Sequence, residues 1–316
     1  VLIRINGGTA MMRILGIVGV QVCICVPIIV FQFCKGKEFF SKEYWGYALR
    51  IGIPIVPHYL SGIILNQGDR IMIDKMVGKT EVALYGLAYS IGMLVQLFIS
   101  GMNSALTPWM YSKIKKGDIR SMRKVLQLLS IVVVGIAVAL MLISPELVLI
   151  FGSPKYREAV YVIPPVAASV FFIFSYNILS MPQFYYEKTQ FLMAASMAAA
   201  GANVVLNFIF IRLFGYIAAG YTTLACYMLY SVGHYIVSKR ILVNEGIQEN
   251  LMNPGFLVAC SVFLIGASII CNLIFPYRIL RYAILLASAG LVFWKKELLL
   301  KTMVDIRKKI GRASCR

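Results

Sequence analysis

Long stretches without a charged residue recur along the whole chain. Each is longer than the roughly 20 residues that an α-helix needs to cross the hydrocarbon core of a bilayer. The stretches without any Lys, Arg, Asp or Glu are 14–34, 82–112, 159–186, 189–211, 213–238 and 250–277. A soluble fold cannot bury so many apolar helices, whereas a bilayer accepts them because each helix satisfies its own backbone hydrogen bonds. The pattern therefore predicts a membrane protein that crosses the bilayer several times.

Apolar runs and charged connectors together predict an all-α, polytopic bundle of about nine transmembrane spans. The last span is the weakest, because its uncharged part, 282–294, is short and requires the side chain of Arg281 to extend toward the membrane surface. The predicted spans are 14–34, 48–68, 82–108, 125–145, 160–181, 190–211, 216–238, 255–275 and 279–294.

Basic residues are distributed unevenly between the connectors. The net charge is +18, from 31 Lys and Arg against 13 Asp and Glu. Because the basic residues lie beside apolar spans, we expect them to face anionic membrane lipids, and we exclude nucleic acid as a partner. When connectors are assigned alternately to the two sides, 21 of the 31 fall on one side. The positive-inside rule makes that side cytoplasmic, and the C-terminus lies there with a basic, amphipathic tail at 295–316.

The most informative polar residues follow the second predicted span. Asn66, Arg70 and Asp74 are four residues apart, and Asp69 joins them at the i+3 spacing. A helix that continues to Met76 would therefore carry an amide, two carboxylates and a guanidinium on one face. Charges at that depth must face a wet cavity or one another. The alternative is a solvated outer loop with ordinary surface charges, and periodicity alone does not decide between the two.

Other polar residues within the spans are expected to form hydrogen bonds with neighbouring helices. His58 shares a proline-bent helix with the charged residues and titrates near neutrality, so it is a candidate for substrate binding or for a proton-linked switch. The polar residues within spans are His58, Asn103, Gln183, Asn203, Asn207 and His234.

The sequence has no recognisable catalytic or metal-binding pattern. GxSxG, HExxH, the P-loop and the Gly-rich dinucleotide turn are all missing from it. The seven cysteines lack metal-ligand spacing and mostly lie in apolar stretches, where small buried hydrophobic residues are expected. We therefore expect a protein that is not an enzyme and that binds neither a cofactor nor a metal.

Four segments carry a resemblance to a known family. They are RIGIPIVPHYLSG at 50–62, DRIMI at 69–73, GKTEVALYGLAY at 78–89 and NSALTPW at 103–109. Together they resemble the polysaccharide-export branch of the multidrug/oligosaccharidyl-lipid/polysaccharide flippase superfamily, over about residues 48–120.

The resemblance implies a two-lobe architecture of twelve to fourteen helices. By that comparison residues 1–34 are the last helix of the N-terminal lobe and 35–47 are the cytoplasmic linker between lobes. Residues 48–294 are then the C-terminal lobe with its following helices, and 295–316 the tail. Nine spans fit helices six to fourteen of a fourteen-helix member, so about five helices are expected to be missing at the N-terminus.

The resemblance further implies transport. An undecaprenyl-pyrophosphate-linked oligosaccharide would pass from the inner to the outer leaflet of the bacterial plasma membrane, by alternating access, for cell-surface polysaccharide assembly. Arg70 and Lys75 would bind the pyrophosphate, since guanidinium and ammonium groups suit phosphate. Asp69 and Asp74 would orient those cations or bind sugar hydroxyls. Asn66 and His58 complete the candidate substrate site, and a polysaccharide polymerase and glycosyltransferases are the implied protein partners.

Three alternatives stay open. A cation-coupled drug antiporter of the same superfamily would use Asp69 or Asp74 to bind H⁺ or Na⁺, ions that could also drive the flippase. A lipid II flippase is a further relative. A membrane-embedded glycan polymerase or ligase is disfavoured, because the sequence has no room for the large outer loop that such enzymes use.

Overall fold

The computed structural model describes residues 10–37 and 40–294, and every regular element within those ranges is a helix. The all-α prediction is therefore confirmed, whereas the amphipathic tail predicted at 295–316 lies outside the described residues. The helices are α1 (Ala10–Gly36), α2 (Lys42–Met76), α3 (Lys79–Gly92), α4 (Leu94–Lys115), α5 (Ile119–Phe151), a 3-10 helix (Pro154–Val162), α6 (Ile163–Tyr185), α7 (Thr189–Phe214), α8 (Ala218–Asn244), α9 (Pro254–Ile274) and α10 (Arg278–Trp294).

Each predicted span coincides with a helix or with two consecutive helices. Six are long and apolar enough to cross a bilayer, and α3 with α4 would make a seventh although the chain bends by 41° between them. Two predicted spans fall short: α8 because its polar residues lower its hydropathy, and α10 because only 17 residues of it are described. The described part of the chain is thus a polytopic membrane bundle with six to seven candidate spans.

The chain divides into two compact units, residues 1–52 and residues 53–316. In the first unit, α1 has no charged residue between Ile14 and Cys34, and most of its described side chains are exposed. A helix that is apolar on every face suits a hydrocarbon environment, because its backbone is satisfied internally.

The core of the second unit forms around α6. Every residue from Ile163 to Ser175 is buried, whichever face of the helix it occupies. Helices α4, α5, α8 and α9 all contact α6, and α8 also packs against α7. Because α8 is largely enclosed by protein, it can carry more polar residues than a helix that faces lipid. This position explains why α8 lacks the hydropathy of an isolated span.

Two glycines allow neighbouring helices to approach α6 closely. A Cβ atom at Gly92 would lie 2.7 Å from Cγ1 of Val166, and a Cβ at Gly220 would lie 3.3 Å from the backbone oxygen of Val162. Small residues at membrane helix contacts permit such close approach. Gly92 therefore fixes the end of α3 against α6, and Gly220 fixes α8 against the start of α6.

Helix α5 is fastened near both of its ends by arginine side chains. Near its start, Nε of Arg123 donates a 2.7 Å hydrogen bond to the backbone oxygen of Asn250. Near its end, Glu146 accepts two 2.9 Å hydrogen bonds from Arg281 of α10. Arg123 and Asn250 belong to connectors that the alternation assigns to the same side of the membrane.

The prediction that Arg281 extends toward the membrane surface is wrong. This side chain is only 3% exposed, and besides Glu146 it donates a 2.8 Å hydrogen bond to the backbone oxygen of Leu142. A bidentate carboxylate offsets the cost of burying the guanidinium. The sequence could not reveal this pairing, because Glu146 and Arg281 are 135 residues apart.

Candidate functional site

Asp69 lies about two turns before the end of α2 and is completely buried in the second unit. Its Oδ2 accepts hydrogen bonds from the hydroxyl of Tyr85 on α3 (2.5 Å) and from Thr223 on α8 (2.6 Å). Its Oδ1 accepts one from Nδ2 of Asn207 on α7 (2.5 Å). A single carboxylate thus joins four helices through three side-chain donors.

Further hydrogen bonds lie close to this carboxylate on α2, α3, α7 and α8. Oδ1 of Asn207 accepts one from Thr222. Asn66 accepts one from Tyr89 (2.8 Å) and a longer one from Tyr227 (3.4 Å). Where water is excluded, hydrogen bonds between side chains of different helices hold those helices together. We call this set the Asp69 network; its members are Asn66, Asp69, Tyr85, Tyr89, Asn203, Asn207, Thr222, Thr223 and Tyr227.

Arg70 lies at the edge of the Asp69 network and is partly exposed. Its guanidinium carbon is 4.9 Å from the centroid of the Tyr89 ring, and its Nη1 donates a 2.5 Å hydrogen bond to Oε1 of Gln67. Both ion pairs found within the described ranges involve other residues, so Arg70 has no carboxylate partner there. The guanidinium therefore keeps donor groups that are not used by the described residues.

Helix α2 continues without interruption to Met76. Of the two alternatives, the helix is therefore confirmed and the solvated loop is wrong. The polar residues do not share one environment, however. Asp69 points into the unit, Arg70 and Asn66 are partly exposed, and Asp74 and Lys75 are exposed in the last turns. Their roles in substrate binding stay predictions.

His58 lies about three turns before Asp69 in α2, within a second group of polar side chains. Its Nδ1 is 2.5 Å from Oγ of Ser196 on α7 and 3.1 Å from the hydroxyl of Tyr230 on α8. Nδ1 of His234 contacts Gln183 of α6 at 2.9 Å. We call His58, Tyr176, Gln183, Ser196, Tyr230 and His234 the histidine cluster, because the two imidazoles are at its centre.

The expectation that polar residues in the spans bind neighbouring helices is confirmed for His58, Gln183, Asn207 and His234. Sequence reasoning missed the hydroxyl donors, of which Thr223 is the clearest example. Thr and Tyr hydroxyls are ordinary in membrane helices, and nothing in the local pattern marks the ones that reach a carboxylate 154 residues away.

Two tyrosines that lie just outside the helices have pKa values above the ordinary value of a phenol. Burial raises the pKa of Tyr186 above its ordinary value. Burial also raises the pKa of Tyr216 to about 12, and the nearby carboxylates of Glu158 and Glu81 add to that effect.

Within the described ranges, no group of three or more His, Cys, Asp or Glu residues could hold a metal ion. The arrangement instead consists of a buried carboxylate, a half-exposed guanidinium beside it, and a separate pair of imidazoles. Such groups can bind an anion, bind a proton or stabilise a helix bundle.

Comparison with known proteins confirms the resemblance found in the sequence. Residues 7–115 match the family described as "Polysaccharide biosynthesis protein". A Haemophilus influenzae protein named "Lsg locus putative protein 1" is 30% identical over 168 residues, which is 51% of this chain and 41% of that relative. An H. influenzae "Uncharacterized membrane protein" is 30% identical over 187 residues, which is 56% of this chain and 46% of that relative.

The matched regions thus span less than half the length of these curated relatives. No solved structure gives a significant match. The six candidate site residues, which lie between His58 and Lys75, all fall within the segment that matches the polysaccharide biosynthesis family.

Proposed function

We propose that the chain acts in the transport of an undecaprenyl-pyrophosphate-linked oligosaccharide from the inner to the outer leaflet of the bacterial plasma membrane. The proposal depends on the position and surroundings of Arg70. It is a half-exposed guanidinium in a spanning helix, it has no carboxylate partner among the described residues, and it lies in the segment matched to the polysaccharide biosynthesis family. Cations in spanning helices are costly and commonly mark the path of a substrate or ion.

The surroundings of Arg70 suit the binding of a phosphate. The Tyr89 ring lies beneath the guanidinium, and Gln67 holds one of its nitrogens. Tyr89 is itself held by Asn66 in the Asp69 network, so the arginine is presented from a fixed surface. A planar guanidinium with unused donors can bind phosphate oxygens in bidentate fashion, which an ammonium cannot. The exposed Lys75 would add positive charge about one and a half turns further along.

The Asp69 network gives this site a rigid support. Three donors from α3, α7 and α8 converge on one carboxylate of α2, so these helices are expected to move together during alternating access. In this arrangement Asp69 positions α2, and Asp74, which is exposed, is the carboxylate available to a sugar hydroxyl.

The antiporter alternative would require an acidic residue that is open to an incoming cation. Asp69 is fully buried and already accepts three hydrogen bonds, which favours a supporting role. We therefore place transport of the lipid-linked sugar first. A polymerase that extends the sugar and glycosyltransferases that assemble it are the partners that this proposal requires.

The test uses the whole protein in proteoliposomes that contain a labelled lipid-linked oligosaccharide, whose headgroup accessibility from outside is followed over time. Arg70→Ala is expected to slow its appearance by about tenfold or more, because hydrogen bonds to charged groups contribute about 1.5–3 kcal/mol. Arg70→Lys should keep part of the rate, since it retains charge without the planar fork. An antiporter would leave the lipid where it is, and a polymerase would lengthen its sugar.

Arg212→Ala is the matched control. Its guanidinium also lies over an aromatic ring, 4.0 Å from the centroid of Phe208, but it is exposed and outside the matched segment. This variant should transport at the wild-type rate. If Arg70→Ala inserts normally and transports as fast as the wild type, or if Arg212→Ala loses as much activity, the site assignment is wrong.

A further inference from the structure

The chain of 316 residues contains two histidines, and the fold brings them together. His58 of α2 and His234 of α8 have ring centroids 6.5 Å apart, with the ring planes at 86°. Both belong to the histidine cluster, which borders the Asp69 network where the ring of Tyr176 stacks on that of Tyr227. Neither has a part in the proposed binding of pyrophosphate by Arg70.

The hydrogen bonds of Ser196 favour one tautomer of His58. Ser196 has one hydroxyl proton, and it is donated to the backbone oxygen of Leu192, which can only accept (2.7 Å). With its proton directed to Leu192, Oγ of Ser196 accepts from Nδ1 of His58 and from the hydroxyl of Tyr230. Nδ1 of the neutral imidazole thus carries the proton, and Nε2 carries the free lone pair. Nε2 makes no hydrogen bond to the described residues, and the His58 side chain is partly exposed.

His234 is fully buried beside this ring. Its Nδ1 is occupied by the amide of Gln183, at 2.9 Å from Nε2 and 3.2 Å from Oε1. Its own Nε2 is buried without a hydrogen-bond partner among the described residues. An unpartnered buried nitrogen is rare in folded proteins and is often associated with a functional requirement.

The groups around the two rings are aromatic and uncharged. Tyr59 of α2 lies 5.4 Å from His58, and Tyr230 of α8 lies 4.6 Å from His234. Tyr176 of α6 lies 5.8 Å from His234. Ser196 is the contact from α7. In the described part of the chain, no Asp, Glu, Lys or Arg forms a hydrogen bond or ion pair with either imidazole.

We propose that His58 and His234 form a proton-binding site in which His58 takes up one proton at Nε2. The imidazolium that results would keep its Nδ1–H bond to Ser196, and the rings of Tyr59 and Tyr230 would face the positive charge. His234 stays neutral, because two adjacent positive charges in a buried cluster repel each other.

Proton uptake at this place changes the packing of the helices that meet there. A new charge among α2, α6, α7 and α8 is costly unless the cluster opens to water or the helices shift. The protonated and neutral states therefore favour different arrangements of the same helices, and pH selects between them. Resting on the function proposed above, the site makes the rate of lipid-linked sugar transport depend on pH.

The first test observes the protons directly. The chain is labelled with ¹⁵N-histidine, placed in lipid nanodiscs and followed by NMR from about pH 8 to about pH 5. At the upper end, His58 is expected to show one protonated and one unprotonated nitrogen. The resonance of the unprotonated nitrogen should be lost as the pH falls, while His234 keeps an unprotonated nitrogen throughout. If His58 remains neutral down to about pH 5, or if His234 alone titrates, the proposal is overturned.

Two variants assign the histidine NMR signals and are then used in a second test, which measures transport. His58→Gln should remove the titration, whereas His234→Gln should leave one titrating ring. In proteoliposomes, the wild-type transport rate should differ between about pH 6 and about pH 8, and the rate of His58→Gln should not. A wild-type rate that is independent of pH overturns the link to transport. Because the NMR titration uses the unsubstituted chain and no substrate, it decides the proton site even if the lipid-linked sugar is never moved.

Discussion

Replacing Asp69 by asparagine tests the claim that this carboxylate holds four helices together. The substitution preserves size and replaces one acceptor oxygen with an amide nitrogen, which can only donate. At Oδ1 the nitrogen would face the Nδ2 donor of Asn207, and at Oδ2 it would face the donors of Tyr85 and Thr223. Asp74→Asn is the matched control, because it makes the same chemical change at an exposed position of the same helix.

The magnitude follows from the number of hydrogen bonds lost. Side-chain hydrogen bonds between membrane helices contribute on average about 0.6 kcal/mol and at most about 1.7 kcal/mol each. Asp69→Asn loses one or two, so it should lower the free energy of unfolding by about 1–3 kcal/mol. Asp69→Leu loses all three and should cost about 2–5 kcal/mol. Asp74→Asn should change stability by less than about 0.5 kcal/mol.

The assay is reversible unfolding of the chain in mixed micelles with increasing SDS, followed by the helical circular dichroism signal. A double-mutant cycle of Asp69→Asn with Tyr85→Phe should show a coupling free energy of at least about 0.5 kcal/mol, because the two side chains share a hydrogen bond. Equal unfolding free energies for the Asp69 and Asp74 asparagine variants would refute the reasoning. A variant at Asp69 that is stable but fails to transport would instead support the direct substrate role predicted from the sequence.

Two further predictions concern packing and the buried ion pair, and both use the same unfolding assay. Glu146→Gln should destabilise the chain by about 3 kcal/mol, because it leaves the buried guanidinium of Arg281 unpaired. Lys113→Met removes a more exposed ion pair, so it should cost less than about 1 kcal/mol. Equal losses would contradict the burial argument. Gly92→Ala should destabilise the chain, because the new Cβ would overlap a valine of α6. Gly135→Ala has open space around it and should stabilise the chain by up to about 1 kcal/mol through helix propensity. If both variants were more stable than the wild type, α3 and α6 would not be in close contact.

The positions of the helices could be predicted from the sequence because lipid imposes a simple rule on apolar length. The bend between α3 and α4 at Met93 could not, because the apolar stretch over 82–112 runs through it without interruption. The bend coincides with a tertiary contact, because Gly92 packs against α6 immediately before it. The interior position of α8 was indicated only by its lower hydropathy, which does not reveal that it packs against α6 and α7.

The candidate site, too, could be predicted from the sequence only in part. Periodicity offered a helix to Met76 as one of two alternatives, and the structure decides for it. Periodicity also grouped Asp69 with Arg70, although consecutive helical residues are about 100° apart around the axis. That angle is enough for Asp69 to point inward while Arg70 remains partly exposed. The partners of Asp69 come from three other helices and could not be read from local spacing.

The two arginine contacts of α5 have a consequence for how α9 and α10 could be handled in the laboratory. Because Asn250, just before α9, is bound near one end of α5 and Arg281 of α10 near the other, the terminal hairpin is attached at two separated points. A backbone cut in the exposed connector at 245–249 leaves both attachments intact. Two coexpressed fragments divided there should therefore associate in the membrane and purify together, which would permit separate labelling of the hairpin.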